Sequence, residues 1–374
     1  MKIVLTGGGS GGHFYPLIAV AESINQIADE EKLVDLELFY LADTPYSPRM
    51  LFENHITFKK INAGKRRLYR SFKNVLDIGK VGIGLIRALW VLYRLYPDVV
   101  FSKGGYPAFP VLFASRLLRI PLIIHETDIV PGRVTAYGAK FANHIAISWE
   151  ESAPYFNTAI TAHTGNPIRK NLLKPLVDGA HAFLELEHDV PIILVTGGSQ
   201  GAQALNDVIL DALPGLLNSY QIIHQTGPEG IEDATQRATY QLKDHPHASR
   251  YKLFAHLDET AQRMVAGVAT LVISRPGGSI FEIAAWGLPS ILIPIDKSNG
   301  DHQRRNAYAY ARTGAAVVIE EENATATIVT TEIARILQSE ELRGRMSAAA
   351  SAFAKPDAAE RIARDILRVA LQHE

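Results

Sequence analysis

The sequence contains no cysteine, and this absence excludes several kinds of chemistry. A disulfide framework, a thiol nucleophile and a cysteine-ligated zinc site are all impossible. An excess of either charge is also missing, since 38 Lys and Arg against 39 Asp and Glu give a formal net charge of −1. A dedicated nucleic-acid-binding protein is usually clearly basic, so no nucleic-acid partner is expected.

Long apolar runs are missing as well. No stretch reaches about 18 uncharged apolar residues, so no transmembrane helix is expected. The best candidate, 81–96, is interrupted by Arg87 and Arg94, and the first apolar run ends at Thr6, too early for the apolar core of a signal peptide. Neither His-Glu-x-x-His nor Asp-x-Asp occurs, so we expect metal-independent chemistry without a cofactor. These absences predict a cytoplasmic protein.

The chain is long enough for two domains, at about 150 residues per domain. A short β-branched run followed by a glycine turn and a helical segment occurs twice, at 2–28 and at 192–217. Continuous β-branched runs are typical of parallel strands covered on both faces. Further strands are predicted at 36–41, 99–102, 122–125, 144–148, 221–225, 271–274, 290–294 and 316–319. The alternation of strands and helices predicts an α/β protein with two doubly wound parallel-sheet domains around a central cleft.

The predicted domain boundary lies at Thr164-Gly-Asn-Pro-Ile168, because Asn-Pro interrupts regular structure. We therefore expect an N-terminal domain over 1–164 and a C-terminal domain over 165–355. A final helix over 356–374 has apolar positions at helical spacing and is expected to return to the first domain. The charges are divided unevenly, with 18 basic and 14 acidic residues in 1–165 against 20 and 25 in 166–374.

Two glycine loops are candidate phosphate sites. Gly7, Gly9 and Gly12 satisfy G-x-G-x-x-G, and with Ser10 and Gly11 they form a loop whose amides can bind phosphate. With Asp43 as a ribose ligand, this loop alone is compatible with an NAD-dependent oxidoreductase. The second loop, 197–201, contains Ser199, Gln200 and Gly201. A pair of such loops favours a diphosphate ligand, although glycine also occurs in purely structural turns.

Polar side chains follow several other predicted strands. Glu282 begins a helix, where its carboxylate can accept bonds from a ribose diol. Asp301 and Gln303 follow the strand at 290–294 and suit sugar hydroxyls, while His13 is placed for general-base work. Glu126 and Asp128 belong to the sequence His125-Glu126-Thr127-Asp128 at the end of the strand at 122–125. Either carboxylate is a candidate for a base or for a hydroxyl ligand. Each residue also has a structural alternative, as a cap, a turn residue or a core histidine.

A basic, apolar-rich segment lies within 59–103, which holds 11 basic residues and only Asp77 and Asp98 as acids. Its cations are concentrated at Lys65, Arg66, Arg67 and Arg70. Such a segment can rest on an anionic membrane surface. The alternative is a core helix with a solvated basic face.

Seven motifs in this order carry a family resemblance. They are Gly8-Gly-Ser-Gly-Gly-His13, Gly104-Gly-Tyr106 with Pro110, His125-Glu126, Gly165-Asn-Pro-Ile-Arg169, Gly197-Gly-Ser-Gln-Gly-Ala202, Ser274-Arg-Pro-Gly278 with Glu282, and Asp301-His-Gln303 with Asn306-Ala307. The ordered set resembles the MurG family of peptidoglycan N-acetylglucosaminyltransferases over nearly the whole chain. The resemblance implies a GT-B fold with two Rossmann-like domains. It also implies inverting transfer of N-acetylglucosamine from UDP-N-acetylglucosamine to the 4-hydroxyl of the muramoyl sugar of lipid I, which forms lipid II for peptidoglycan synthesis.

The resemblance also assigns roles. In the second domain, Ser199, Gln200, Gly201 and Arg169 would hold the diphosphate, Glu282 the ribose, and Asp301 and Gln303 the donor sugar. In the first, the loops with Gly9, Ser10, Gly11 and Gly12 and with Tyr106 would bind lipid I, and His13 would be the base. From their place after the strand at 122–125, Glu126 is taken as a further substrate-binding residue and Asp128 as a second catalytic residue. The basic segment would dock on the inner face of the cell membrane, and other cell-wall synthesis proteins are further candidate partners.

Two positions depart from the family pattern. Thr127-Asp128 stands where the family usually has Gln-Asn, and Pro107-Ala-Phe109 replaces small residues and a serine. Both lie on the predicted acceptor side, so a related transferase with another lipid acceptor is an alternative. An NAD-dependent oxidoreductase and a non-catalytic nucleotide-sugar-binding subunit are remoter alternatives.

Overall fold

The computed structural model describes residues 1–62, 73–198, 201–296 and 299–373. It divides the chain into two compact units. The first comprises Met1–Arg169 and Lys355–Glu374, and the second comprises Lys170–Ala354.

The first unit is a seven-stranded parallel sheet with the order β3-β2-β1-β4-β5-β6-β7. Its strands are β1 Lys2–Thr6, β2 Glu37–Ala42, β3 Ile56–Lys60, β4 Val99–Ser102, β5 Leu122–Glu126, β6 His144–Ile147 and β7 Thr161–His163. Its helices are α1 Gly11–Glu31, α2 Pro48–Glu53, α3 Lys73–Leu95, α4 Phe109–Leu118, α5 Arg133–Gly138 and, from the C-terminal end of the chain, α14 Ala358–His373.

The second unit is a six-stranded parallel sheet with the order β10-β9-β8-β11-β12-β13. Its strands are β8 Ile192–Thr196, β9 Gln221–Gln225, β10 Tyr251–Phe254, β11 Leu271–Ser274, β12 Ser290–Leu292 and β13 Ala316–Val318. Its helices are α6 Ala180–Phe183, α7 Gln203–Leu216, α8 Ile231–Gln241, α9 Glu259–Val268, α10 Ser279–Ala285, α11 His302–Arg312, α12 Ala326–Leu337 and α13 Glu340–Phe353.

Both sheets are covered on two faces because successive strand residues point in opposite directions. In β1, Ile3 and Leu5 pack in a core with α1 and α14, whereas Val4 packs in a core on the other face. In β8, Val195 belongs to one core and Leu194 to another. This arrangement explains why both strands are continuously apolar, and it confirms the predicted pair of doubly wound domains.

The order of the strands locates the sites. In the first sheet, β2 and β3 lie on one side of β1 and the later strands lie on the other, so the strand order reverses between β1 and β4. In the second sheet the strand order reverses in the same way between β8 and β11. Ligands of open parallel sheets bind beyond the carboxyl ends of the strands at such a switch point. The two glycine loops follow β1 and β8 and therefore lie at these two positions.

Three strands were not predicted, namely β3, β7 and β10. Each is an edge strand of its sheet. An edge strand is covered less completely than a central one. Accordingly, β3 has polar residues at three of its five positions, and β10 has a lysine at its second position and no fully buried residue.

The first unit ends at Arg169, five residues beyond the boundary expected after Thr164. Contacts of the intervening segment explain the difference. The carbonyl of Gly165 accepts a bond of 2.9 Å from Nε2 of His125, and the Arg169 guanidinium lies 4.9 Å from the centre of the Tyr15 ring. At the other end, the second unit gives way to the first at Lys355.

Candidate functional site

In the first unit, the glycine loop after β1 approaches the Gly104-Gly105-Tyr106 segment after β4 at the switch point. Gly9 has φ +85°, and a Cβ there would lie 2.8 Å from Cε1 of Tyr106. Gly105 has φ +79°, and its Cβ would lie 2.6 Å from the carbonyl oxygen of Gly8. Both positions therefore require glycine for close packing as well as for backbone conformation. The Tyr106 hydroxyl donates a bond of 2.7 Å to Asp43, which engages the carboxylate that an oxidoreductase would need for a ribose.

His13 lies in the first turn of α1, next to this pair of loops. Ser10, the N-cap residue, has an extended backbone, and its Oγ lies 3.0 Å from Nδ1 of His13. Burial, and after it the nearby Lys103 cation, lower the pKa of His13 to about 4, while Asp128 acts in the opposite sense. The imidazole is therefore neutral near pH 7 and able to accept a proton.

Glu126, at the end of β5, is buried and holds the turn that follows it. Its carboxylate accepts backbone N–H bonds from Thr127 at 2.9 Å, Asp128 at 3.1 Å and Gly132 at 3.0 Å. Burial and the neighbouring Asp128 raise the pKa of Glu126, while these hydrogen bonds oppose the rise. The structure thus places Glu126 beneath the loop that carries Asp128, and its contact with a sugar hydroxyl stays a prediction.

A buried lysine, which the sequence reasoning missed, stands behind this turn. Lys103 is 3% exposed, and its Nζ lies 2.6 Å from Nδ1 of His125 and 3.4 Å from Oδ1 of Asn166. It also donates to Oγ1 of Thr127. The signal was a lysine directly between a fully buried strand and a Gly-Gly pair, where a charged residue is seldom buried without partners.

The second unit repeats the glycine loop after β8. The N–H of Gly201 donates to the carbonyl of Gly198 at 3.2 Å, and the N–H of Gly198 donates to Oγ1 of Thr196 at 3.2 Å. Gly201 has φ +79°, and a Cβ there would lie 2.2 Å from the carbonyl oxygen of Thr226. Ser199 and Gln200, predicted to hold a diphosphate, lie outside the described residues.

Gln225, at the end of β9, supports the second glycine loop and was also missed. Its Nε2 donates to Oγ1 of Thr196 at 3.2 Å and to the carbonyl of Gly198 at 3.3 Å. Its Oε1 accepts from the N–H of Leu257 at 2.9 Å. One side chain thus connects the loops that follow β8 and β10, and no spacing in the sequence indicates it.

Glu282 lies in α10, which begins just after β11. Its carboxylate is partly exposed and accepts a bond of 3.3 Å from Nε2 of Gln262. The turn before this helix is closed by Ser279, whose hydroxyl donates to the carbonyl of Arg275 at 2.8 Å and lies 3.1 Å from the hydroxyl of Ser274. Glu282 is therefore held at the carboxyl edge of the second sheet with part of its surface open.

Asp301 and Gln303 stand at the same edge, after β12. Gln303 accepts the N–H of Ile295 through Oε1 at 3.0 Å, and Asp301 has the left-handed φ of +57° at the start of α11. Glu282, Asp301 and Gln303 thus follow β11 and β12, the two strands next to β8 in the sheet order, so they share the carboxyl edge of one sheet with Gly198 and Gly201.

The loop after β12 is held by a partly buried ion pair. The Arg275 guanidinium donates to the carbonyl of Ile293 at 2.8 Å and forms a salt bridge with Glu321. The other oxygen of Glu321 accepts the N–H of Asp296 at 3.0 Å. Burial would raise the pKa of Glu321, but the Asp296 N–H and the Arg275 cation more than offset it, and the pKa lies below its ordinary value.

The edge of the second sheet offers the N-terminus of α7 for an anion, together with carboxylate and amide side chains for hydroxyls. The edge of the first sheet offers a neutral histidine on which the Asp128 carboxylate acts. Within the described ranges, no group of three His, Asp or Glu side chains is arranged to hold a metal ion.

Family models match both units. The N-terminal domain of glycosyltransferase family 28 matches residues 3–147, and its C-terminal domain matches residues 192–362. Two curated relatives are named UDP-N-acetylglucosamine–N-acetylmuramyl-(pentapeptide) pyrophosphoryl-undecaprenol N-acetylglucosamine transferase. That of Treponema denticola is 34% identical over 85% of this chain and 83% of its own length, and that of Shouchella clausii is 36% identical over 89% and 90%.

This chain belongs to the MurG family, within glycosyltransferase family 28. Among solved structures it is similar to the MurG crystal structure from Acinetobacter baumannii, with a TM-score of 0.73 and 24% identity over 98% of this chain and 99% of that one. The resemblance seen in the motifs is thereby confirmed, as is the GT-B architecture of this MurG-family protein.

Proposed function

We propose that this protein transfers N-acetylglucosamine from UDP-N-acetylglucosamine to the 4-hydroxyl of the muramoyl sugar of lipid I, with inversion, and so forms lipid II for peptidoglycan synthesis. The observation that carries this proposal is the similarity to transferases of that name along more than four fifths of the chain, 85% and 89% for the two relatives above. The conserved fold alone would not decide the chemistry, because one fold serves many reactions.

The second unit binds the donor in this proposal. The N-terminus of α7 and the glycine loop before it stabilise the diphosphate, with Ser199, Gln200 and Gly201 as its ligands. Glu282 accepts from the ribose hydroxyls, and Asp301 and Gln303 bind the sugar. Arg169, the fourth predicted ligand of the diphosphate, belongs to the first unit, where its buried guanidinium stacks on Tyr15.

The first unit binds the acceptor and activates it. The loop of Gly9, Ser10, Gly11 and Gly12 packs against Tyr106, and Glu126 holds the turn of Asp128. The neutral imidazole of His13 takes the proton of the acceptor 4-hydroxyl while the oxygen attacks C1 of the donor sugar. The bond from C1 to the diphosphate breaks, and UDP leaves with the electron pair. Asp128 stabilises the imidazolium that forms, consistent with its effect on the pKa of His13.

A membrane-facing surface on α3 brings the enzyme to its lipid acceptor. Ile83, Ile86, Trp90 and Tyr93 are 57%, 71%, 58% and 71% exposed and recur at helical spacing. The Arg94 guanidinium lies 4.8 Å from the centre of the Trp90 ring, so a cation borders this stripe. Lys65, Arg66, Arg67 and Arg70 lie outside the described residues. We place the protein peripherally on the inner face of the cell membrane, with the stripe at the lipid interface.

No helix within the described ranges is long and apolar enough to cross a bilayer.

The test is release of UDP from UDP-N-acetylglucosamine by the purified protein, with and without lipid I in detergent. Lipid-dependent release is expected. Donor binding without turnover on lipid I would move the acceptor elsewhere, and a series of other lipid acceptors would then be compared at fixed donor. The turn at Thr127-Asp128 motivates that comparison, because the Thr127 hydroxyl is already bonded to Lys103 and Asn166.

A further inference from the structure

The buried side chain of Lys103 makes several contacts but has no role in the reaction proposed above. It follows β4 and is 3% exposed, yet it carries an ammonium group with three donors. Those donors are directed at Nδ1 of His125, 2.6 Å away, at Oγ1 of Thr127, and at Oδ1 of Asn166, 3.4 Å away. Lys103 therefore joins the ends of β4 and β5 to the segment after β7 that contains Asn166.

His125 and Thr127 extend this set of contacts. Nε2 of His125 donates to the carbonyl of Gly165 at 2.9 Å, which leaves Nδ1 as an acceptor for Lys103. The Thr127 hydroxyl donates to Oδ1 of Asn166 at 3.1 Å. Any displacement of Lys103 would loosen the turn that presents Asp128, because Thr127 directly precedes Asp128.

Two carboxylates, those of Glu126 and Asp128, lie near the Lys103 ammonium group. Glu126 and Asp128 stand two residues apart, and burial and then the Asp128 carboxylate raise the pKa of Glu126. Lys103 acts on Glu126 in the opposite sense and is itself held partly charged by both acids. Burial lowers the pKa of Lys103 to about 7, so below that pH the cation balances the two carboxylates.

We propose that Lys103 is a positioning residue for activation of the acceptor hydroxyl. Its ammonium clamps the ends of β4 and β5 to Asn166 and balances Glu126 and Asp128, so that the Asp128 turn and His13 keep one geometry. The backbone that follows Lys103 passes close to His13: a Cβ at Gly105, two residues later, would lie 3.5 Å from Cδ2 of His13. This inference rests on the proposed function for its kinetic consequences and on the structure alone for its effect on His13.

The kinetic test compares Lys103→Met, which keeps length and removes charge, with Lys103→Arg and with Lys140→Met on the exposed surface of the same unit. Lys103→Met is expected to lower kcat by about 10²-fold, the effect of a misplaced reacting group, with a much smaller change in the KM for donor. Lys103→Arg restores part of kcat, and Lys140→Met changes nothing. Melting temperatures identify a variant that fails to fold.

The pH profile separates positioning from general loss of structure. The charged groups that face His13 are Lys103 after β4 and Asp128 after β5, and Ser10 contacts its Nδ1. Loss of Lys103 should move the acid limb of kcat to higher pH, whereas Asp128→Asn should move it to lower pH, and the double variant should return it towards wild type. Damage to the fold would not produce opposite signs.

Nuclear magnetic resonance of ¹³C-labelled histidine, with His13 assigned through His13→Gln, gives the same comparison without turnover. His13 should titrate at higher pH in Lys103→Met than in wild type. If UDP release by the wild type did not depend on lipid I, the proposed function would be overturned. The titration of His13 would still decide the role of Lys103. Wild-type kcat and an unmoved titration in folded Lys103→Met would overturn the inference.

Discussion

The ring of Tyr106 lies against the backbone of Gly9, so closely that a Cβ at Gly9 would come within 2.8 Å of its Cε1. Gly9 also has φ +85°, a conformation that costs other residues about 1–2 kcal/mol. Gly9→Ala should therefore lower the free energy of unfolding by at least about 1–2 kcal/mol, measured by chemical denaturation. Gly12→Ala is the matched control, because its Cβ would meet nothing closer than 3.8 Å. Equal stability of the two variants would contradict the close packing described here.

Removal of the imidazole should abolish most of the transfer activity and leave donor binding intact. We expect His13→Gln to lower kcat by about 10²- to 10⁴-fold, the usual contribution of a positioned base. Because burial lowers the pKa of His13 to about 4, the wild-type imidazole is neutral at ordinary pH and kcat should fall only on approach to that value. The measurement is UDP release against pH. A His13→Gln enzyme with full activity would assign the base to another group.

The ribose assignment of Glu282 can be tested by a double-mutant cycle that changes both the protein and the ligand. Glu282→Gln should weaken UDP binding by about 1–3 kcal/mol, measured by calorimetry, because a charged acceptor is replaced by a neutral amide. The loss should shrink when 2′-deoxy-UDP replaces UDP, since the partner hydroxyl is then missing. Glu232→Gln, on the exposed first turn of α8, is the control. An equal loss with both ligands would mean that Glu282 does not contact the 2′-hydroxyl.

The ion pair between Arg275 and Glu321 should contribute to stability in a pH-dependent manner. Removing one partner of a buried pair costs about 3–5 kcal/mol, and the 20% exposure of the Glu321 side chain places Glu321→Gln at or below the lower end. The pKa of Glu321 is lowered in the folded protein, so its stabilisation is present above the unfolded value and is lost as pH falls through the folded one. Denaturation of wild type and Glu321→Gln at several pH values should converge at acid pH. The neighbouring Glu322→Gln should behave like wild type.

Membrane association should depend on the exposed stripe of α3. Ile86→Glu and Trp90→Glu should each reduce cosedimentation with vesicles that contain anionic phospholipid, because an apolar contact is replaced by a repelled charge. Phe52→Glu removes an aromatic from α2 that is 84% exposed, more than Ile86 or Trp90, and should have little effect. Binding that ignores all three changes would place the membrane contact elsewhere.

The family, the fold class and many central elements follow from the sequence. The predicted strands at 99–102, 221–225 and 271–274 coincide with β4, β9 and β11. They are central in their sheets, and burial on both faces forces a continuous apolar run that is readable in one dimension. The glycine loops were readable for a similar reason, since only glycine meets the backbone requirements at Gly9 and Gly201.

Only the tertiary structure decided what supports the candidate residues. Lys103 meets Asn166 across 63 positions of sequence, and Gln225 meets the N–H of Leu257 across 32. Such contacts depend on which strands lie side by side, and a lysine or glutamine has the same letter whether it is solvated or buried. The sequence thus determined which chemical groups reach the carboxyl edges of the sheets. The packing of distant segments decided which of them are held rigid, which are desolvated, and therefore that His13 is a neutral imidazole.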